Sequence, residues 1–407
     1  MKVLAEGGIT SPQGFLATGK HIGIKAEAKD LAMIASEVPA HAAAVFTTNV
    51  VKAAPVVWSQ RVISSGEPVR AVVVNSGNAN ACTGILGMEH AIAMAETVAD
   101  SLGYQANEVL VASTGVIGVP LPIETVCEGI RQAGQTLERG TSTDKSAAEA
   151  IRTTDTFSKS IAVEIELAGQ RVILAGMAKG SGMIHPNMAT MLSFVTTDAD
   201  IAPELLEEAL RESVMDSYNM ISVDGDTSTN DSVFMLANGL AENPRITAKG
   251  EAYNQFYAAL HYVNTYLAKE IVRDGEGATK FLTVTVAGAA TASAARKLAK
   301  SVVTSNLVKT AFFGEDANWG RILAAMGYSG ADFNPALVNM KFSSYAGTVE
   351  VMEGGDPISF DEALAKKVLQ ERELEISIGL QDGTSRATAW GCDLSYDYVR
   401  INGSYRS

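Results

Sequence analysis

Ile161-Ala-Val-Glu-Ile-Glu-Leu167 is followed by Ala168-Gly169-Gln170 and then by Arg171-Val-Ile-Leu-Ala-Gly-Met-Ala178. The first run alternates apolar and acidic residues, which predicts a half-exposed strand. The second reads as its returning partner, with Ala168-Gly169-Gln170 supplying the turn of a hairpin. Outward from this hairpin the same rhythm recurs. Arg70–Asn75 (RAVVVN) is a short β-branched run that empties into NSGNANACTG, and Ala91–Leu102 reads as an Ala-rich helix. Glu108–Ala112 is a further strand, ending in STGVIGVP. Pro203–Tyr218 predicts an amphipathic helix, with Pro and acids in its first turn. Glu251–Ile271 predicts a longer one, Phe281–Ala287 (FLTVTVA) a strand, Asp361–Leu369 a helix, and Glu375–Leu380 and Arg386–Trp390 late strands. Strands and helices alternate throughout, so the expected class is α/β (α+β), with mixed sheets covered by helices.

The chain has 407 residues, 47% of them hydrophobic and 19% charged, which is enough apolar surface for two or three packed units. Its net charge of −14 argues against nucleic acid or an anionic membrane as the main partner, because phosphate binding needs a clustered positive field. Three distant cysteines, Cys82, Cys127 and Cys392, form no CxxC pair and suggest reduced thiols. No apolar run approaches a membrane span, and a cytoplasmic location is expected.

Several motifs are absent. His21, His41, His90, His185 and His261 stand in no metal-ligand spacing, so no metal and no bound cofactor is expected. There is no GxxxxGK[ST] phosphate loop, no GxGxxG after a strand and no GxSxG elbow. The run Asp224–Asp231 superficially resembles a calcium loop, but Thr229 stands where Gly is needed and Met235 where Glu is needed. It reads as a polar turn near a site.

Three polar, glycine-rich segments are poorly explained as core. Ser113-Thr114-Gly115 follows a strand, and a hydroxyl beside a Gly N–H suits an oxyanion hole, although a strand-ending turn is the commoner meaning. Lys179-Gly-Ser-Gly-Met-Ile-His-Pro-Asn-Met-Ala-Thr190-Met-Leu192 offers a cation for a carboxylate and a Thr that could act as nucleophile. An internal Thr is usually only a β-branched strand residue. Arg273-Asp-Gly-Glu276-Gly-Ala-Thr-Lys280 sets a carboxylate between two glycines just before a strand.

The strings GSGMIHPNMATML, NSGNANACTG, ASTGVIG, SVDGDTSTND and RDGEGATK closely resemble the ornithine acetyltransferase (glutamate N-acetyltransferase) family of arginine biosynthesis. The resemblance runs from Gly7-Gly8-Ile9-Thr10-Ser11-Pro12-Gln13-Gly14-Phe15 to Ile401-Asn402-Gly403-Ser404-Tyr405-Arg406-Ser407 and covers essentially the whole chain.

What it implies is specific. The chain cuts itself between Ala189 and Thr190, giving chains 1–189 and 190–407. Thr190 becomes both nucleophile and free N-terminus, and an α-amine with a reference pKa of about 7.7–8.0 can serve as base for its own hydroxyl. Acetyl passes from N2-acetyl-L-ornithine to Thr190 and then to L-glutamate, a double displacement. Thr114 and Gly115 match the oxyanion hole. Thr153, Lys179, Thr190, Glu276, Asn402 and Ser407 match substrate-binding positions, and Lys179 is expected to hold the shared α-carboxylate. The implied fold is a layered α/β sandwich of the self-processed N-terminal-nucleophile type, distinct from a doubly wound sheet. The implied assembly is α2β2. The expected organisation is a catalytic core over 1–280, a smaller α/β unit over 281–392 and a tail, 393–407, returning to the active site.

Acetyl-CoA is expected as a second acetyl donor, making the enzyme bifunctional. A monofunctional acetylornithine–glutamate transacetylase is the alternative. A related N-terminal-nucleophile aminopeptidase or amidase would share self-cleavage but release product to water. A non-enzymatic binding protein would show no chain break and no acetyl adduct.

Overall fold

A computed structural model describes residues 1–185 and 191–404 of the chain. Lys159–Leu167 and Gln170–Lys179 form the expected antiparallel hairpin, with Leu167 opposite Gln170. The turn is one residue shorter than anticipated. Ala168 (φ 50°) and Gly169 (φ 83°) are both left-handed, the two-residue geometry whose twist matches that of its strands. Ile161, Val163, Ile165 and Leu167 bury one face, while Glu164 and Glu166 face outward.

This hairpin belongs to a nine-stranded mixed sheet. From one edge its order is Lys2–Val3, Lys159–Leu167, Gln170–Lys179, Leu192–Thr197, Ser232–Ala237, Leu31–Phe46, Val69–Asn78 and Val109–Val116, with Phe15–Lys20 also paired to Leu31–Phe46. Leu192–Thr197 runs parallel to Ser232–Ala237, and Val69–Asn78 parallel to Val109–Val116; the other pairings are antiparallel. The sheet is therefore not doubly wound.

RAVVVN is apolar without alternation because both faces of its strand are covered. Val72 and Val74 pack with Ala147, Ala148 and Ile151 on one side. Ala71 and Val73 pack with Met94, Val98, Val126 and Ile130 on the other. The helix Gly84–Leu102 starts about two turns earlier than its Ala-rich part suggested.

The helices Pro203–Met215 and Glu251–Arg273 carry a third core. The longer one lies across the hairpin, where Gly176 lets it approach closely: a Cβ there would sit 2.9 Å from both Val263 Cγ1 and Leu267 Cδ1. The same core continues without a break into a seven-stranded sheet. That sheet is ordered Asp356–Pro357, Gly347–Glu353, Asn339–Ser344, Glu373–Gly379, Phe281–Ala289, Ser385–Cys392 and Ile221–Ser222. Ala292–Thr304 packs on its central strands. Among the described residues, no helix is long and apolar enough to cross a membrane.

Candidate active site

Strand ends from the first sheet converge on one cavity. Its walls include Thr114, Gly115, Thr153, Lys179, Glu276 and Asn402, together with Ala79, Met191, Ser228, Asn230 and Asp231. The first six came from five separate stretches of sequence. Thr190, its neighbour Ala189, and Ser407 lie outside the described residues. Met191, next in the chain to Thr190, lines the cavity.

Lys179 ends the strand Gln170–Lys179 and is buried at 7% exposure. Its ammonium donates to Thr153 Oγ1 at 2.8 Å and to Thr114 Oγ1 at 3.2 Å. Two consequences follow from valence. Thr114 accepts from Lys179 and so keeps its own O–H proton for donation elsewhere, while the ammonium retains a third N–H. Burial pulls the Lys179 pKa below its ordinary value, opposed by Asp155, Asp231 and Glu276 and reinforced by Lys159.

Gly115 has φ 131°, and a Cβ there would lie 2.3 Å from the Gly77 carbonyl carbon. Only glycine permits this crossing of the paired strands Val69–Asn78 and Val109–Val116, whose register slips at Gly77–Asn78. The asparagines of NSGNAN hold the slip in place. Asn75 donates to the Asn78 carbonyl at 2.8 Å and accepts from Ser113 Oγ at 2.5 Å. Asn78 accepts from the Asn80 N–H at 2.8 Å and donates to the Val119 carbonyl. Asn230 reaches in from the neighbouring chain segment and donates to the carbonyls of Ala79 (2.6 Å) and Ser113 (2.8 Å). Thr114 and Gly115 thus lie within the strand Val109–Val116, in a hydrogen-bonded polar setting, and not in a turn that ends it.

Glu276 presses its carboxylate over Gly182. A Cβ at 182 would be 2.4 Å from Glu276 Cδ and Oε2. Glu276 Oε2 accepts from Asn402 Nδ2 at 2.7 Å. Gly277 (φ 69°) admits the helix Tyr396–Ser404, since a Cβ there would meet the Tyr398 nitrogen at 2.5 Å, and Ser395 Oγ donates to the Gly277 carbonyl at 2.6 Å. Gly277 of RDGEGATK therefore serves the docking of that helix, whereas Gly275 faces Cys392 and Val223.

Sequence reasoning missed four charged groups at or behind the cavity: Asp155, Lys159, Asp231 and Asp274. Asp231 closes SVDGDTSTND, which the sequence marks as a polar turn near a site and as one of the strings that resemble the family. It is 3% exposed, and among the described residues its Oδ2 has no hydrogen-bond partner. Burial pushes its carboxyl well above the ordinary range, against contacts from Ser228 and the Lys179 charge. At the front of the same run, Asp224 accepts from the Met183 (2.7 Å) and Ile184 (2.9 Å) N–H groups and so shapes the loop leading to residue 185. Among the described residues, no cluster of His, Cys, Asp and Glu could hold a metal ion.

The ArgJ family matches residues 16–407 of this chain. The arginine biosynthesis bifunctional protein ArgJ of Symbiobacterium thermophilum is 57% identical over 404 residues, 98% of this chain and 99% of that protein. That of Caldanaerobacter subterraneus is 54% identical over 407 residues, covering 100% of both. Among solved structures, the arginine biosynthesis bifunctional protein ArgJ from Bacillus halodurans shares 44% identity and a TM-score of 0.45, covering 46% of this chain and 97% of that one. Ornithine acetyltransferase from Mycobacterium tuberculosis, complexed with ornithine, shares 43% identity and a TM-score of 0.43, covering 46% of this chain and 99% of that one.

Proposed function

We propose that this chain, which belongs to the ArgJ family, is an acyltransferase that moves acetyl from N2-acetyl-L-ornithine to L-glutamate through an acetyl ester on Thr190. The observation that carries this reading is the convergence of Thr114, Gly115, Thr153, Lys179, Glu276 and Asn402 on one cavity that also takes in Met191.

Each step balances. In the precursor, Thr190 Oγ attacks the Ala189 carbonyl, an ester replaces the peptide bond, and water hydrolyses it to leave chains 1–189 and 190–407. The freed α-amine then takes the Thr190 hydroxyl proton as Oγ attacks the acetyl carbonyl of acetylornithine. Thr114 O–H and Gly115 N–H receive the oxyanion, a contribution of about a hundred- to a thousandfold for one such donor. Collapse expels ornithine, whose amine takes the proton. Glutamate attacks the ester by the reverse path and leaves as acetylglutamate. Lys179 holds the α-carboxylate common to both amino acids, and Glu276 faces an ammonium. Ser407, outside the described residues, is proposed as a further substrate-binding residue.

The relatives' description as bifunctional supports a second activity, which in this reading is acetylation of glutamate from acetyl-CoA. The mature enzyme is proposed as an α2β2 assembly in the cytoplasm. We divide it into a catalytic core over 1–280, a C-terminal unit over 281–392 and a tail over 393–407, whose helix Tyr396–Ser404 brings Asn402 to Glu276.

Denaturing mass spectrometry tests the proposal. The expected result is two chains, the second starting at Thr190 and gaining one acetyl group with acetylornithine, which glutamate then removes as acetylglutamate. A single chain without an adduct would overturn it. Discharge to acetate regardless of glutamate would favour an amidase.

A further inference from the structure

Behind the cavity lies an ion triad that the acetyl-transfer chemistry does not itself use. Lys159 Nζ donates to Asp155 Oδ1 at 2.7 Å and to Asp274 Oδ2 at 2.5 Å, with all three side chains at most 1% exposed. The same ammonium lies 4.9 Å from the Phe157 ring centroid. Burying three charges is costly, and a packed apolar trio is often as stable or more so, so stability is a weak reason for its presence.

The bonds radiating from the triad give a better one. Asp155 Oδ2 accepts the Thr153 N–H at 2.9 Å, and Asp155 Oδ1 accepts the Gly180 N–H at 2.7 Å, one residue beyond Lys179. Asp274 accepts the Thr156 N–H through both oxygens, at 3.1 and 3.0 Å, and the Thr156 hydroxyl. The Asp274 carbonyl accepts from Ser181 Oγ at 2.5 Å, and the Ser181 carbonyl accepts the Glu276 N–H at 3.0 Å. Three chain segments, each bearing one group that faces the cavity, are thus cross-linked at a single ammonium.

We propose that Lys159 is a positioning residue for substrate binding: by bridging Asp155 and Asp274 it fixes Thr153, Lys179 and Glu276 relative to one another. Lys179 and Glu276 present opposite charges to a substrate carrying a carboxylate and an ammonium. Their separation sets the amino-acid geometry that the cavity accepts. A shift of about 1 Å between such groups can cost about a hundredfold. The inference rests on the acetyl-transfer reading of the cavity.

Two variants test it. Asp274→Asn is nearly isosteric and keeps an oxygen for Thr156 while weakening the Lys159 bridge. Lys159→Met combined with Asp274→Asn removes one charge of each sign. Steady-state constants for acetylornithine and glutamate would be measured alongside calorimetric binding of L-ornithine. The expected result in either folded variant is a rise in both KM values of ~10- to ~100-fold, weaker ornithine binding to match, and a smaller change in kcat. Native KM and ornithine affinity in a folded variant, or a loss confined to kcat, would overturn the inference. Insolubility of both variants would mark the triad as a folding determinant and overturn it equally. A wild type that transfers no acetyl would defeat the acetyl-transfer reading, and ornithine binding would then still compare the variants. A wild type that also binds no ornithine would defeat both.

Discussion

Asn402 donates to Glu276 Oε2 at 2.7 Å, joining the helix Tyr396–Ser404 to a loop 126 positions earlier in the chain. An amide suits this place because it donates to the carboxylate while offering an oxygen elsewhere. Asn402→Asp would set two carboxylates face to face, and they could ionise together only at a cost. Glutamate brings a further carboxylate, whereas acetylornithine brings an ammonium. The variant should raise KM for glutamate by ~10- to ~100-fold and that for acetylornithine by clearly less. Steady-state KM values decide it, and equal losses would sink the argument.

Gly182 is the floor under the Glu276 carboxylate, where a Cβ would come within 2.4 Å. In Gly182→Ala the long Glu side chain can rotate away, so the fold should persist while the carboxylate moves. kcat/KM is expected to fall ~10- to ~100-fold with little change in melting temperature. Activity near that of wild type would mean that Glu276 need not occupy this position.

Burial lowers the Lys179 pKa from its ordinary 10.5. A substrate carboxylate is held only by the charged form, so binding is strongest below the lowered pKa and is lost as pH rises through it. KM for acetylornithine, whose α-nitrogen carries no titrating proton, should climb ~10-fold per pH unit above that point, which lies below 10.5. Lys179→Arg, permanently charged, should lack this alkaline limb even if its KM is higher throughout. A flat wild-type profile up to 10.5 would contradict the role.

Asp231 holds its proton more tightly when folded than the ordinary carboxyl value of 3.8. Its contribution to stability is therefore best below 3.8 and declines as pH rises towards the folded value, because the unfolded chain releases the proton first. Asp231→Asn, which carries no charge to bury, should raise the urea midpoint at neutral pH, with the gain vanishing near 3.8. A pH-independent difference, or a loss of stability at neutral pH, would refute the account.

Local signals predicted much of this molecule. The hairpin of Lys159–Lys179, the helices Pro203–Met215 and Glu251–Arg273 and the strand beginning at Phe281 follow from hydrophobic period and turn chemistry, which act between near neighbours. Leu31–Phe46 escaped that reading. It is Ala-rich and contains Pro39, which argues against a strand, yet its register shifts between Ala35 and Ala40, and the proline sits in that irregularity between two sets of partners.

The candidate site divides the same way. The quoted segments carry Thr114, Gly115, Lys179, Glu276 and Asn402, while Thr153, outside all of them, came only from the family resemblance. Their common cavity, the Lys159 bridge between Asp155 and Asp274, the seat of Glu276 on Gly182 and the burial of the Asp231 carboxyl belong to the tertiary structure alone. The physical reason is that period and turn chemistry fix which way each side chain points from its own element. Which charges meet, and how far burial shifts them, depends on packing between segments more than a hundred positions apart, as with Lys159 and Asp274 at a separation of 115.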